Sequence, residues 1–182
     1  MAGDLVTIRL LEGEPSEMRE LQRVLEEAPT YAHGVTGVPP GPADAQSTYT
    51  ILPEGKSYGD KFVFGIYRGS EVVGCADLIR GYPDHATALL GLLLVSERYQ
   101  RQGIGRRAYA LVEQFIQSWH TCDRVRIGVV RTNEAVVPFW THLGFEPTGE
   151  VKPYRYGSVI SEVVVFEKRL FNTALERPPH ER

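Results

Sequence analysis

The pattern of apolar runs predicts an α/β fold over residues 5–170: one domain with a mixed, mostly antiparallel sheet of six or seven strands flanked by helices. Three observations carry this expectation. At 182 residues, 42% hydrophobic and 24% charged, the chain can bury a single core and has the composition of an ordinary globular domain. β-patterned segments outnumber helical ones, and two of them are joined by Arg68-Gly69-Ser70, a hairpin signal. In mid-chain, one unit of strand, glycine loop, helix and strand supplies a crossover, which places its two strands parallel to each other.

Residues 5–10 read as a short strand. Residues 15–27 carry Met18, Leu21, Val24 and Leu25 at helical spacing, with Pro15 near the start. Residues 28–59 are rich in Pro and Gly and read as loop, with one short helix near residues 44–52. Lys61–Arg68 and Glu71–Arg80 form the hairpin. Thr87–Val95 is almost wholly apolar, which predicts a central strand buried on both faces. The helix after it presents Ile104, Ala108, Leu111, Val112, Phe115 and Trp119 as one stripe, and Arg124–Val130 is the parallel strand. Residues 133–143 read as a second helix that Asn133 could cap, that Pro138 shortens or kinks, and that Gly144 stops. Residues 145–151 and 159–170 close the sheet, and residues 171–182 form a polar tail.

The net charge of -3 argues against a general nucleic-acid binder. No run is long enough to span a bilayer, and the first residues lack the basic and apolar segments of a signal peptide. Cys75 and Cys122 lack CxxC spacing, so reduced, buried or half-buried thiols and a cytoplasmic setting are expected. His33, His120, His142 and His180 show no metal-ligand spacing, so no metal is expected.

The segment Gln100-Arg101-Gln102-Gly103-Ile104-Gly105 delivers a glycine loop to a helix N-terminus, where backbone N–H groups and the helix dipole favour an anion such as a pyrophosphate. Arg101, Arg106 and Arg107 oppose the dipole unless they face that anion. Gly103 to Ala108 also satisfies the G-x-G-x-x-[GA] fingerprint of dinucleotide folds, with Asp123 about 20 residues on. In those folds, however, the acidic residue ends a strand and the loop opens a long alternating series. Here Asp123 precedes its strand and the loop lies in mid-chain.

The longer string from Val95 through Gly105 resembles the central motif of the GNAT superfamily of acyl-CoA-dependent N-acetyltransferases, a buried strand ending at Val and leading to [RQ]-x-x-G-x-[GA]. Asn133, Ala135, Phe139, Trp140, Leu143, Gly144 and Phe145 are similar to a second element of that family, an Asn and an aromatic residue ahead of a closing G-F. The resemblance implies acetyl-CoA as co-substrate and a primary amine, on a small molecule or a peptide, as acceptor. It implies pantetheine bonded by backbone groups of Leu93, Leu94 and Val95 between two splayed strands. The pyrophosphate would rest on the N–H groups of Gln100, Arg101, Gln102, Gly103, Ile104, Gly105 and Arg106, and a backbone N–H near Leu94 or Val95 would polarise the thioester carbonyl. Asn133 reads either as a plain cap or as a polar contact to the CoA arm. Family members often dimerise, so a homodimer is compatible with the resemblance.

Two departures bear on catalysis. The family's tyrosine acid corresponds to Trp140, whose indole is no practical proton donor, and residues 89–95 lack the family's glutamate base. Asp77, the one charge in residues 72–79, is a candidate base, with local pairing as the competing explanation. Tyr82 and Ser96 are candidate donors to the leaving thiolate, Asp84 and His85 read as turn residues, and Glu97 is expected to face solvent. The aromatic segment 31–58 and the final strands, including residues 152–156, would form the acceptor wall. A non-catalytic acyl-CoA sensor is the rival reading, because the departures leave the cofactor site stronger than the chemistry.

Overall fold

The computed structural model describes residues 5–170, and the expected polar tail lies outside them. The strands are β1 (Val6–Leu10), β2 (Lys61–Arg68), β3 (Glu71–Arg80), β4 (Thr87–Val95), β5 (Arg124–Val130), β6 (Glu146–Tyr156) and β7 (Val159–Arg169). They form a 7-stranded sheet in the order β1-β2-β3-β4-β5-β7-β6. Every neighbouring pair is antiparallel except β4 and β5. The crossover between those two is α4 (Ile104–Ser118), the only way to return the chain for parallel pairing without a hairpin.

Helices α1 (Pro15–Glu26), α2 (Pro29–Thr36) and α3 (Asp44–Thr50) precede the hairpin, and α5 (Val137–His142) follows β5. Pro15 opens α1, where its missing N–H costs nothing, and Glu14 and Glu17 form a reciprocal cap. Leu21, Val24 and Leu25 of α1 and Ala45 of α3 pack with Cys75 and Leu94 on one face of the sheet. Tyr109, Val112 and Ile116 of α4 and Trp140 of α5 pack with Ala76, Leu78, Leu90 and Ile127 on the other. Adjacent residues such as Cys75 and Ala76 thus serve opposite cores, as the strand period requires. Both cysteines are free and buried, and no helix among the described residues is long and apolar enough to cross a membrane.

Five elements depart from the sequence expectation, one of them β6, which runs on to Tyr156 beyond the expected residues 145–151. Residues 29–36 are helical, because Pro29 opens the turn and Gly37, at φ 77°, ends it; the Pro and Gly that read as loop are its punctuation. The buried stripe of α4 is Ile104, Ala108, Tyr109, Val112 and Ile116, whereas Leu111, Phe115 and Trp119 lie along its margin. β4 is not buried on both faces throughout, since Gly91 is exposed and Leu92 and Leu93 are half-buried. Asn133 does not cap a helix: it sits inside a 3-10 segment, Arg131–Val136, at φ -115° and ψ 25°, and α5 starts only at Val137 with Pro138 in its first turn.

Candidate active site

The site originates in incomplete pairing. β4 and β5 pair at Thr87 with Arg124, Ala88 with Val125 and Leu89 with Arg126, and no further. Beyond Leu89 the strands part, leaving strand-edge donors and acceptors on both sides of a wedge. The cleft there has a volume of about 630 Å³ and runs from Leu90–Val95 and Ile127–Val130 up to Gln100, Arg101, Gly103, Gly105 and Arg106. Asn133, Phe139 and Trp140 also line it, as do Thr30, Tyr31 and Val35 of α2.

At its upper end the loop backbone turns inward. Arg101 takes φ 59° and Gly103 φ 76°, the left-handed region on either side of Gln102. Such a turn converges successive N–H groups into an anion-binding concavity. Among the described residues, the N–H groups of residues 101–106 find no acceptor, and the first helical bond runs from Arg107 N–H to the Gly103 carbonyl at 3.2 Å. The 15-residue helix behind them adds its dipole. A Cβ at Gly103 would meet no protein atom within 4 Å, so the concavity is open. These features fit a pyrophosphate. Gln100 braces the loop by donating its Nε2 hydrogen to the Val95 carbonyl at 2.9 Å. The side chain of Gln102 points elsewhere, donating to the Arg98 carbonyl and accepting from Arg68. That of Ile104 is buried in the core.

The sequence candidates for proton transfer separate clearly. Tyr82 lies in the loop that leads into β4, at the end away from Val95, and does not line the cleft. Ser96 is fully buried and its hydroxyl is committed, donating to Glu27 Oε2 at 2.6 Å. Asp77 sits near the cleft floor. Its Oδ1 accepts from Lys61 Nζ at 2.8 Å, and a Cβ on Gly91 would stand 3.3 Å from its Oδ2. Burial pushes the Asp77 carboxyl above the usual carboxylate range, with the Lys61 bond opposing it. Among the described residues, no group of three His, Cys, Asp or Glu side chains is placed to hold a metal ion.

Sequence reasoning reached Tyr31 only as part of the aromatic segment 31–58, and it missed Lys61. Tyr31 rides on the unforeseen α2, in the cleft wall, and burial raises its phenol pKa strongly. Lys61 reads in sequence as a polar strand end, and nothing local signals its partner on β3. Glu97 is exposed as expected, but its Oε1 also accepts the Thr30 N–H at 2.7 Å, pinning the start of α2 to the loop after β4.

A sheet opened between its two parallel strands, with a glycine loop and a helix N-terminus at the mouth, forms a cleft suited to an extended ligand that carries a pyrophosphate. The sequence profile of the family described as Acetyltransferase (GNAT) family matches residues 20–145, and the chain belongs to that family. A search of curated proteins finds no match. Among solved structures, the chain is similar to an acetyltransferase from Thermus thermophilus at 24% identity and TM-score 0.68, covering 92% of this chain and 99% of that one. It is also similar to the ribosomal-protein-S18-alanine N-acetyltransferase from Escherichia coli, at 16% identity and TM-score 0.65, covering 91% and 94%. A third is the PaiA N-acetyltransferase from Thermoplasma acidophilum in complex with coenzyme A, at 18% identity and TM-score 0.62, covering 91% and 99%. At these identities the likeness is one of fold.

Proposed function

We propose that the protein transfers the acetyl group of acetyl-CoA to a primary amine by direct attack in a ternary complex. The observation that carries this reading is the parting of β4 from β5 after Leu89, directly below the unpaired N–H groups of residues 101–106. An extended pantetheine arm satisfies the cleft-side edge of β4 at Leu93 and Val95 as a short extra strand would, while Leu94 pairs with Cys75 of β3 and the Val95 carbonyl already accepts from Gln100 Nε2. The pyrophosphate takes the N–H groups running from Arg101 and Gln102 through Gly103, Ile104 and Gly105 to Arg106, with the Arg101 and Arg106 guanidinium groups adding charge; the Gln100 N–H expected among them instead donates to the Glu97 carbonyl at 3.2 Å. Asn133, half-buried in the opposite wall, offers its amide to the arm.

In this arrangement the thioester carbonyl lies inside the wedge, and a backbone N–H near Leu94 or Val95 polarises it. The amine nitrogen forms the C–N bond, and the C–S bond breaks with its electron pair going to the CoA sulfur. Holding amine and thioester together supplies much of the acceleration. Asp77 receives the proton that the nitrogen sheds. Trp140 gives no proton to the departing sulfur. Tyr31 can hydrogen-bond that sulfur, but burial makes its phenol a reluctant acid, so the thiolate takes its proton from water.

The test is thermal stabilisation by CoA against NAD and NADP, followed by amine-dependent release of free thiol from acetyl-CoA. Stabilisation by CoA with thiol release supports the reading. Tight CoA binding with no release on any amine supports a sensor, and stabilisation by NAD or NADP alone overturns the phosphate-loop assignment.

A further inference from the structure

Behind Gly91 of the cleft floor lies a buried ion pair. Lys61, at the start of β2, lies diagonally across from Asp77 on β3, whose directly paired residue is Val63. The Lys61 side chain is only 3% exposed, whereas that of Asp77 keeps 17%. Lys61 occupies Oδ1, and among the described residues Oδ2 accepts no hydrogen bond. Oδ2 lies against Gly91, the β4 residue skipped where the register with β3 slips, between the pairs Asp77 with Leu92 and Leu78 with Leu90. Gly91 lines the cleft and has no side chain, so its backbone alone stands between the cleft floor and the Asp77 Oδ2 behind it.

The charge balance there is unusual for a site that accepts amines. The titratable groups facing the pair are Cys75 on its own strand and Tyr31 from α2, with Tyr154 of β6 beyond Tyr31. Burial pushes the Cys75 thiol up to about 12 and raises both phenols, so all three are neutral. Tyr154 donates its hydroxyl to the Val35 carbonyl at 2.6 Å. Of the other carboxylates, Glu162 is paired with Arg131, and Glu97, bonded to the neutral Thr30 N–H, is exposed where water screens its charge. Lys61 and Asp77 therefore cancel. An alkylammonium entering between Tyr31, Val35 and Leu92 would lose its water and gain no net countercharge. A neutral amine would lose little.

We propose that the acceptor is a weakly basic primary amine, an α-amino or an aromatic amine, that reaches Asp77 past Gly91. This rests on the acyl-transfer reading above. An α-amino group has a pKa of about 8 and a lysine-type ammonium about 10.4, so near neutral pH their neutral fractions differ by a factor of about one hundred. The lower nucleophilicity of the weaker base returns part of that factor.

The experiment compares kcat/KM of the full chain with acetyl-CoA for phenylalanine amide, aniline and 2-phenylethylamine, at neutral and at alkaline pH. The expected result is an advantage of about tenfold or more at neutral pH for phenylalanine amide or aniline over 2-phenylethylamine, narrowing as pH rises. Whichever of the two leads identifies the source as α-amino or aromatic. Lys61→Met, which leaves Asp77 uncompensated, should shift preference toward 2-phenylethylamine, and Lys61→Arg should keep the wild-type order. If Lys61→Met does not fold, the wild-type panel decides alone. Turnover of 2-phenylethylamine as fast as the others at neutral pH, or a folded Lys61→Met with unchanged preference, overturns the proposal and leaves acyl transfer standing. Thiol release with none of the three amines overturns the acyl-transfer reading beneath it.

Discussion

Ser96 donates its buried hydroxyl to Glu27 at 2.6 Å, joining the end of the first helix to the residue at which the central strand becomes the phosphate loop. Arg23 and Arg98 hold the other carboxylate oxygen, at 2.9 and 3.5 Å. Burial pushes the Glu27 carboxyl up, but the hydrogen bonds from Ser96 and Arg23 and the two positive charges outweigh it, so its pKa lies below the usual range. The stability from this shift is present above the unfolded carboxylate pKa and is lost as pH falls through the lower folded value. Glu27→Gln should cost about 1–3 kcal/mol in urea unfolding at neutral pH, the range for a charged hydrogen bond. It should also flatten the acid side of the stability profile.

Gly103 turns at φ 76°, so any other residue there is strained, while its Cβ would strike no protein atom within 4 Å. Gly103→Ala should cost about 1–2 kcal/mol of stability through the backbone alone. Gly103→Val should cost a similar amount and, by crowding the phosphate approach, also remove the thermal stabilisation by CoA. A valine variant stabilised by CoA as strongly as wild type would detach the loop from the ligand.

Asp77 carries a raised pKa, so its contribution to stability is present at low pH and is lost as pH rises through the folded value. As a base it must be ionised, which places the acid limb of kcat/KM above the ordinary carboxylate range. Asp77→Asn should lower kcat by about 10²–10⁴-fold and abolish that limb. It also strands the buried Lys61, at about 3–5 kcal/mol. The double variant Asp77→Asn with Lys61→Met separates the two effects, because it should regain stability without regaining turnover.

Trp140 packs edge-on against Phe139, Phe145 and Tyr109, with ring centroids 5.0, 5.2 and 6.1 Å away. Its role in this cluster is mechanical. Trp140→Phe should retain kcat within about threefold, far short of the loss expected for a general acid. Trp140→Ala should destabilise by about 3–5 kcal/mol, read by thermal or chemical unfolding.

The features legible in the sequence are those set by neighbours along the chain. The strand bounds of Lys61–Arg68, Glu71–Arg80, Thr87–Val95 and Arg124–Val130 follow from local alternation or continuous apolarity, and so does the glycine loop after Val95. The features that escaped depend on distant partners. α2 escaped because Pro29 and Gly37, which bound it, also mark loops. The hydroxyl of Ser96 is taken by a residue at the end of α1, and Lys61 reaches Asp77 only because the hairpin register brings them together. The partial burial of β4 reflects a parting of strands that no run of leucines encodes.

The most direct test of the account follows acetyl-CoA, free thiol and N-acetylated amine in one time course, with mass spectrometry of the intact protein. The expected result is thiol and acetylated amine formed in equal amounts, only when amine is present, with the protein unmodified. Thiol release without amine, an acetylated protein that passes its acyl group on, or CoA bound tightly with no thiol released would contradict direct transfer in the β4–β5 cleft.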